Sequence, residues 1–145
     1  MPIRAVLRIV AVVVLTAVAL PANAERLRRF GDYEIHYNAI ATATLTPEVA
    51  RAYDLVRSRG RALVTASVLR NGDPVAATIE ASAENEVGQR RTIRMRKVAE
   101  GTAIYYIGTT PVSPPERLRV ELRVHPAGTA QTHALTFTQW FYPEQ

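Results

Sequence analysis

The stretch GDYEIHYNAI, Gly31 to Ile40, holds a histidine, an asparagine, two tyrosines and two acids in ten residues. An imidazole beside a carboxylate can shuttle a proton or begin a metal site. Glu34 and His36 are two residues apart, so on a strand they share one side at a spacing of about 7 Å. Zinc or copper needs three or four converging ligands. The other histidines, His125 and His133, flank the loop HPAGTAQTH and could meet across the base of a hairpin. Beyond the N-terminal segment, Met95 is the only methionine. These groups read as surface histidines on strands and a turn, with no metal site and no cofactor expected. The alternative is a metal-binding or hydrolytic enzyme that uses the Glu34, His36 and Asn38 face.

Other chemistries are sparser. The chain has no cysteine and no Gly-x-Ser-x-Gly elbow, and Ser58, Ser67, Ser82 and Ser113 have no activating neighbour in sequence. Glu80 and Glu84 share the wet side of one strand, with Glu86 close by. A glycosidase pair needs one carboxyl desolvated in a cleft, so a solvated sheet face is the preferred reading. Arg90, Arg91, Arg94, Arg96 and Lys97 read as one basic strand, and Arg117, Arg119 and Arg123 line another. Side by side these strands would offer a basic face to an anionic envelope component. Pairing with Glu80, Glu84 and Glu121 would instead leave an ordinary charged surface. Tyr105 and Tyr106 point to opposite sides of a strand. One belongs to the core, and the other could join Trp140 and Tyr142 in an exposed aromatic platform or lie beneath a covering loop.

The elements that must position these groups follow from periodicity. Tyr33, Ile35, Tyr37 and Ala39 alternate with Asp32, Glu34, His36 and Asn38, which makes a strand with the tyrosines inward. LTPEVARAYDLVRSRG carries helix punctuation: Thr46 to cap, Pro47 at the first position, Glu48 for the dipole, then Val49, Tyr53 and Val56, with Gly60 closing two to three turns later. RALVTASVLRNGDPVAATIEASAEN reads as a hairpin turning at Asn71-Gly72-Asp73-Pro74. RTIRMRKVAEGTAIYYIG reads as a second, turning at Glu100-Gly101. RLRVELRV and ALTFTQWFY form a third. TPVSPPE is too rich in proline for a central strand and is predicted to cross between sheets. The sum is an all-β, immunoglobulin-like antiparallel β-sandwich of about seven strands, with one short helix inserted after the first strand.

The N-terminus is built differently. MPIRAVLR is positive, Ile9 to Leu20 is an apolar run, and PANA follows, the pattern of a secretory signal peptide over residues 1–24 with a single domain over 25–145. The run is shorter than the roughly 20 residues that cross a bilayer, so a permanent span, as an uncleaved anchor, is the alternative. No cysteine follows it for a lipid anchor, and Arg28 and Arg29 lie on the wrong side for twin-arginine export. Loss of residues 1–24 leaves 121 of the 145 residues and, with Arg4 and Arg8 gone, takes the formal charge from +5 to +3. Export and that modest charge argue against a nucleic-acid partner. A chain near this length can bury enough surface to fold without disulfides.

Five segments, FGDYEIHYNA, LTPEVARAYDLVRS, AENEVGQ, AIYYIGTTP and LTFTQWFYPE, in this order and spacing resemble a family of secreted proteobacterial proteins known as domain of unknown function 4426. The likeness runs from Phe30 to Glu144. Thr65 departs from it where an asparagine is common, and Ala81 where a glycine is common nearby. The resemblance implies a secreted, single-domain β-rich protein and implies no reaction or ligand. The resulting expectation is a periplasmic, non-enzymatic binding or interaction module. Its partner is an envelope protein or an anionic envelope component, and its candidate binding residues are His36, Asn38, Arg57, Tyr105, Tyr106 and Trp140. Exported protein should begin at Glu25 by N-terminal sequencing; an intact Met1 would favour the anchor.

Overall fold

The computed structural model describes residues 26–143, so the segment expected to direct export lies outside the described residues. Ten strands are present there: β1 (Arg26–Phe30), β2 (Tyr33–Ala41), β3 (Arg61–Arg70), β4 (Asp73–Pro74), β5 (Ala77–Glu84), β6 (Arg90–Ile93), β7 (Arg96–Glu100), β8 (Ala103–Pro111), β9 (Glu116–Pro126) and β10 (His133–Phe141). They form two antiparallel sheets. One runs β1-β2-β3-β8-β7 with β4 at the end of β3, and the other runs β10-β9-β5-β6. The fold is the all-β sandwich that the alternation predicts.

That alternation places the core. In β2, Tyr33, Ile35, Tyr37, Ala39 and Ala41 are buried, and in register with them Val68, Ala66, Val64 and Ala62 of β3 are buried too. Leu118, Val120, Leu122 and Val124 of β9 meet them from the second sheet, beside Leu135, Phe137 and Phe141 of β10. The Tyr37 and Phe137 rings touch across the layer at 4.7 Å. Each large side chain buried this way contributes about 1.5–3 kcal/mol. The outward residues of the same strands remain for other uses.

Four local readings change. RLRRF, Arg26–Phe30, is itself a strand, β1, so the helix follows the second strand. Its alternation is hidden because Arg26 turns inward at the sandwich edge. Its guanidinium lies 5.0 Å from the Phe137 ring centre and donates to Gln139 Oε1 at 2.7 Å. Inward charges of this kind protect an edge strand from further pairing.

The helix α1 is only Pro47–Ala52. Thr46 caps it as expected, its hydroxyl accepting from the Val49 N–H at 3.2 Å. It stops just before Asp54 and well short of Gly60, because Asp54 adopts φ 55° and the Leu55 N–H returns to the Ala50 carbonyl at 2.7 Å. Aspartate tolerates this left-handed turn better than most residues. Val56 is thrown into solvent, 68% exposed.

The third change concerns residues 61–84. Asn71 and Gly72, at φ 49° and 83°, make the tight turn, but only β4 returns along β3. Pro74 lacks an N–H for the ladder, and β8 already pairs with Arg61–Ala66. The chain therefore crosses over, and β5 lies between β9 and β6.

The fourth is the basic segment 90–97, which is two strands in two sheets. Ile93 enters the core from β6, and the chain crosses over at Arg94 and Met95 to begin β7. Gly108 of β8 permits that crossing. A Cβ there would stand 2.5 Å from the Arg94 carbonyl oxygen and 2.7 Å from Met95 Sδ. Gly108→Ala should therefore destabilise the protein by about 1–3 kcal/mol despite adding one methyl. A urea midpoint equal to wild type would show that the two segments separate freely.

Candidate functional site

The outer face of the larger sheet carries a cleft of about 440 Å³. Its floor is a block of cross-strand neighbours. His36 of β2 faces Ser67 of β3, Asn38 faces Thr65, Thr65 faces Ile107 of β8, and Tyr105 faces Val98 of β7. Such pairs on one face of an antiparallel sheet hold their Cβ atoms about 5 Å apart. Val49, Tyr53 and Leu55, from α1 and the turn after it, wall the cleft, and Glu100 closes one end. Past His36, Ser67 and Tyr105 the surface continues into a shallower depression of about 220 Å³ beside Leu69, Pro74 and Ile104. The volume is in the range of small-ligand sites, and the lining has their usual mixture of apolar wall and few polar groups.

The wall is a flap between β2 and β3, held at three places. At its base Ser58 N–H donates to Thr42 Oγ1 at 2.8 Å, and that hydroxyl donates to the Ser58 carbonyl at 3.0 Å. Arg57 spans the loop, its Nε donating to the Leu45 carbonyl at 2.7 Å and Nη2 to that of Ala43 at 3.3 Å. At its tip the Tyr53 hydroxyl donates to the Glu100 carboxylate, and the Arg96 guanidinium donates to the Tyr53 carbonyl. The short helix thus takes its position from polar ties to β7 as well as from its apolar contacts.

On the floor, His36 Nε2 lies 3.5 Å from Glu34 Oε2, and Glu34 also meets Arg29 at 3.2 Å. Asn38 Oδ1 accepts from the Ala39 N–H at 2.9 Å. Of the residues singled out from sequence, His36, Asn38 and Tyr105 share this cleft. Arg57 is the brace of the flap. Tyr106 points the other way into the core, where its hydroxyl accepts from the Ala77 N–H at 2.8 Å.

Trp140 lies on the outer face of the other sheet, stacked on Tyr142 at 6.2 Å with the Arg117 guanidinium 5.6 Å above it. An aromatic platform shared with Tyr105 is therefore not formed, since the two sit on opposite sides of the sandwich.

Tyr53, Leu55, Thr65, Val98, Glu100 and Ile107 were missed. Val98 and Glu100 were open to inference, because the turn at Gly101 sets the register that puts Val98 opposite Tyr105. Tyr53 was not, since its partner Glu100 lies 47 residues away.

The three histidines occupy separate surfaces. His36 is in the cleft, His125 Nδ1 bonds the Thr132 hydroxyl at 2.7 Å, and His133 stacks on Phe30 at 4.8 Å at the sandwich edge. Among the described residues no group of three or more histidine, cysteine or acidic side chains is placed to hold a metal ion. The arginine rows are not neighbours, because β5 lies between β9 and β6. Acids of β5 and β9 interleave with them: Glu80 of β5 meets Arg123 at 3.7 Å, and Glu121 of β9 meets Arg90 at 3.6 Å.

A two-sheet antiparallel sandwich with a flap-walled cleft on one outer face is the class of molecule that this geometry defines. The chain belongs to the domain of unknown function family DUF4426, which matches residues 27–144. The crystal structure of a DUF4426 family protein from Pseudomonas aeruginosa PAO1 is similar at 31% identity, over 83% of this chain and 97% of that one, with a TM-score of 0.74. FetP of uropathogenic Escherichia coli strain F11 has a similar fold. A copper-bound variant of it matches at 9% identity over 81% of this chain and 95% of that one, with a TM-score of 0.60. As-isolated FetP expressed in the E. coli periplasm matches at 8% identity over 81% and 93%, with a TM-score of 0.59. No curated protein matches this chain in sequence.

The hydrogen bond to Glu100 raises the Tyr53 phenol above its ordinary value of about 10, and partial burial and the electrostatic influence of Glu100 and Tyr105 act in the same direction. A group with a raised folded-state value contributes stability that is complete below its unfolded value and lost as pH rises through the folded one. The stability difference between wild type and Tyr53→Phe should stay constant from neutral pH to about pH 10 and shrink above it. Urea denaturation across that window checks this, and a difference that widens with pH would contradict the assigned bond.

Proposed function

We propose that the protein is an exported, non-catalytic binding module of the periplasm, and that the cleft on the larger sheet is its ligand site. The observation that carries this is the cleft itself: apolar walls from Val49, Leu55, Val98 and Ile107 over a floor bearing His36, Asn38, Thr65 and Ser67. The N-terminal pattern supports export. Among the described residues no helix is long and apolar enough to cross a membrane. A protein of the same fold, FetP, was produced in the E. coli periplasm, in keeping with that compartment. Because acids interleave with the arginines on the other sheet, attraction of an anionic envelope component there is weakened, and the cleft is the better candidate for contact with a partner or ligand.

One observation favours a hydrolytic reading: Ser67 faces His36, and Glu34 stands 3.5 Å from that imidazole. Against it, Ser67 lies mid-strand. Hydrolase serines sit on a sharp turn that exposes the hydroxyl and frees backbone N–H groups for an oxyanion. The copper of the FetP variant raises a metal reading as well, but among the described residues Glu34 and His36 supply two donors where three or four are needed.

The neutral envelope dye N-phenyl-1-naphthylamine tests the binding role. It should bind wild type saturably, and about tenfold more weakly to a folded Thr65→Phe variant whose new ring fills the floor. Equal binding by both would remove the cleft from the function. Purified protein should carry no stoichiometric copper or zinc and show no esterase turnover that His36→Ala abolishes.

A further inference from the structure

The charge inside the cleft runs against the charge of the chain. The protein is basic, formally +5, yet no arginine or lysine among the described residues lines the cleft. Apart from His36, the ionisable lining groups among the described residues are Glu100, Tyr37, Tyr53 and Tyr105. Arg57 is turned to the loop carbonyls of Ala43 and Leu45, and Arg96 to the Tyr53 carbonyl at the rim. Glu100 accepts from the Tyr53 hydroxyl, and no cationic side chain among the described residues stands within ion-pair distance of it. Tyr105 is the diagonal neighbour of Glu100 across the β7–β8 ladder, on the same face, and is 41% exposed. A carboxylate without a cation therefore sits between two phenol rings at the end of an apolar trough.

From this arrangement we propose that the ligand of the cleft is an organic ammonium with an apolar body, its charged nitrogen at Glu100 between Tyr53 and Tyr105. The inference rests on the binding role of the cleft and specifies its chemistry. The carboxylate supplies the opposite charge, the Tyr53 phenol oxygen beside it can still accept from the ammonium, and the body replaces water over Leu63, Val98 and Ile107. The same features disfavour anions, for which no arginine or lysine among the described residues lines the cleft.

Isosteric probes separate charge from shape. Benzylammonium should bind the wild-type protein about tenfold tighter than benzyl alcohol, with benzoate weakest, read by titration of the Tyr53 and Tyr105 ring signals in NMR. In Glu100→Gln the ratio of cation to alcohol affinity should fall to about one. Tyr53→Phe gives up the same hydrogen bond but leaves the carboxylate, so it should retain a ratio well above one. If both variants lose the ratio equally, the flap and not the charge is responsible, and the inference is wrong. If benzyl alcohol or benzoate matches benzylammonium in wild type, the ammonium assignment falls while a dye-binding cleft survives. If neither the dye nor any benzyl probe binds, both fall together.

Discussion

Two sheets share a single apolar layer, and in a chain without cysteine nothing covalent holds them together. Every strand that enters the sandwich must give one face to that layer. Ile35, Val64, Val68, Val120, Leu122 and Val124 are fully buried for this reason. The constraint has a second consequence. It leaves the opposite face of each central strand free of packing duties, so polar residues such as His36, Asn38, Thr65 and Ser67 accumulate there without loss of core. The cleft is built from what the core does not use.

A free sheet face becomes a cleft only when something stands over part of it. Here that is a helix of six residues, too short to be stable by itself. Its cap at Thr46 and its turn at Asp54 shape it, but its position comes from Arg57, from the Thr42–Ser58 pair, and from Tyr53 and Arg96 at the tip. Of the groups that hold the wall, Tyr53 also lines the cleft. Polar ties near the surface are individually weak, so the flap is held by several small contributions and not by one strong contact.

Which residues were legible depended on the range of the physics involved. Arg57 and Trp140 were candidates because they are large and polar or aromatic, yet one braces a loop and the other stacks on its own neighbour Tyr142. Neither role has a periodic signature. Glu100 looked like an ordinary turn residue, and its importance appears only once Tyr53 is placed against it. Residues 90–97 misled in a different way. Dense charge read as one strand because nothing in the arginines marks the point where the chain changes sheets, and the mark is Gly108, in a later strand.

Strand faces, turn sites and the helix cap were determined by the sequence alone. Each is local: Cβ direction alternates residue by residue, Asn71-Gly72 and Gly101 accept positive φ where others resist, and Thr46 reaches a donor three residues on. The sheet joined by each strand, and what stands over each outer face, was decided only by the tertiary structure. Strand partners compete for the same edges, and the winner depends on the closure of the whole layer, as when β8 takes the edge of β3 that β5 would have used. The histidine, asparagine and serine of the cleft floor were each visible in the chain. What they share, a wall and a carboxylate at one end, comes from pairings that no short stretch encodes.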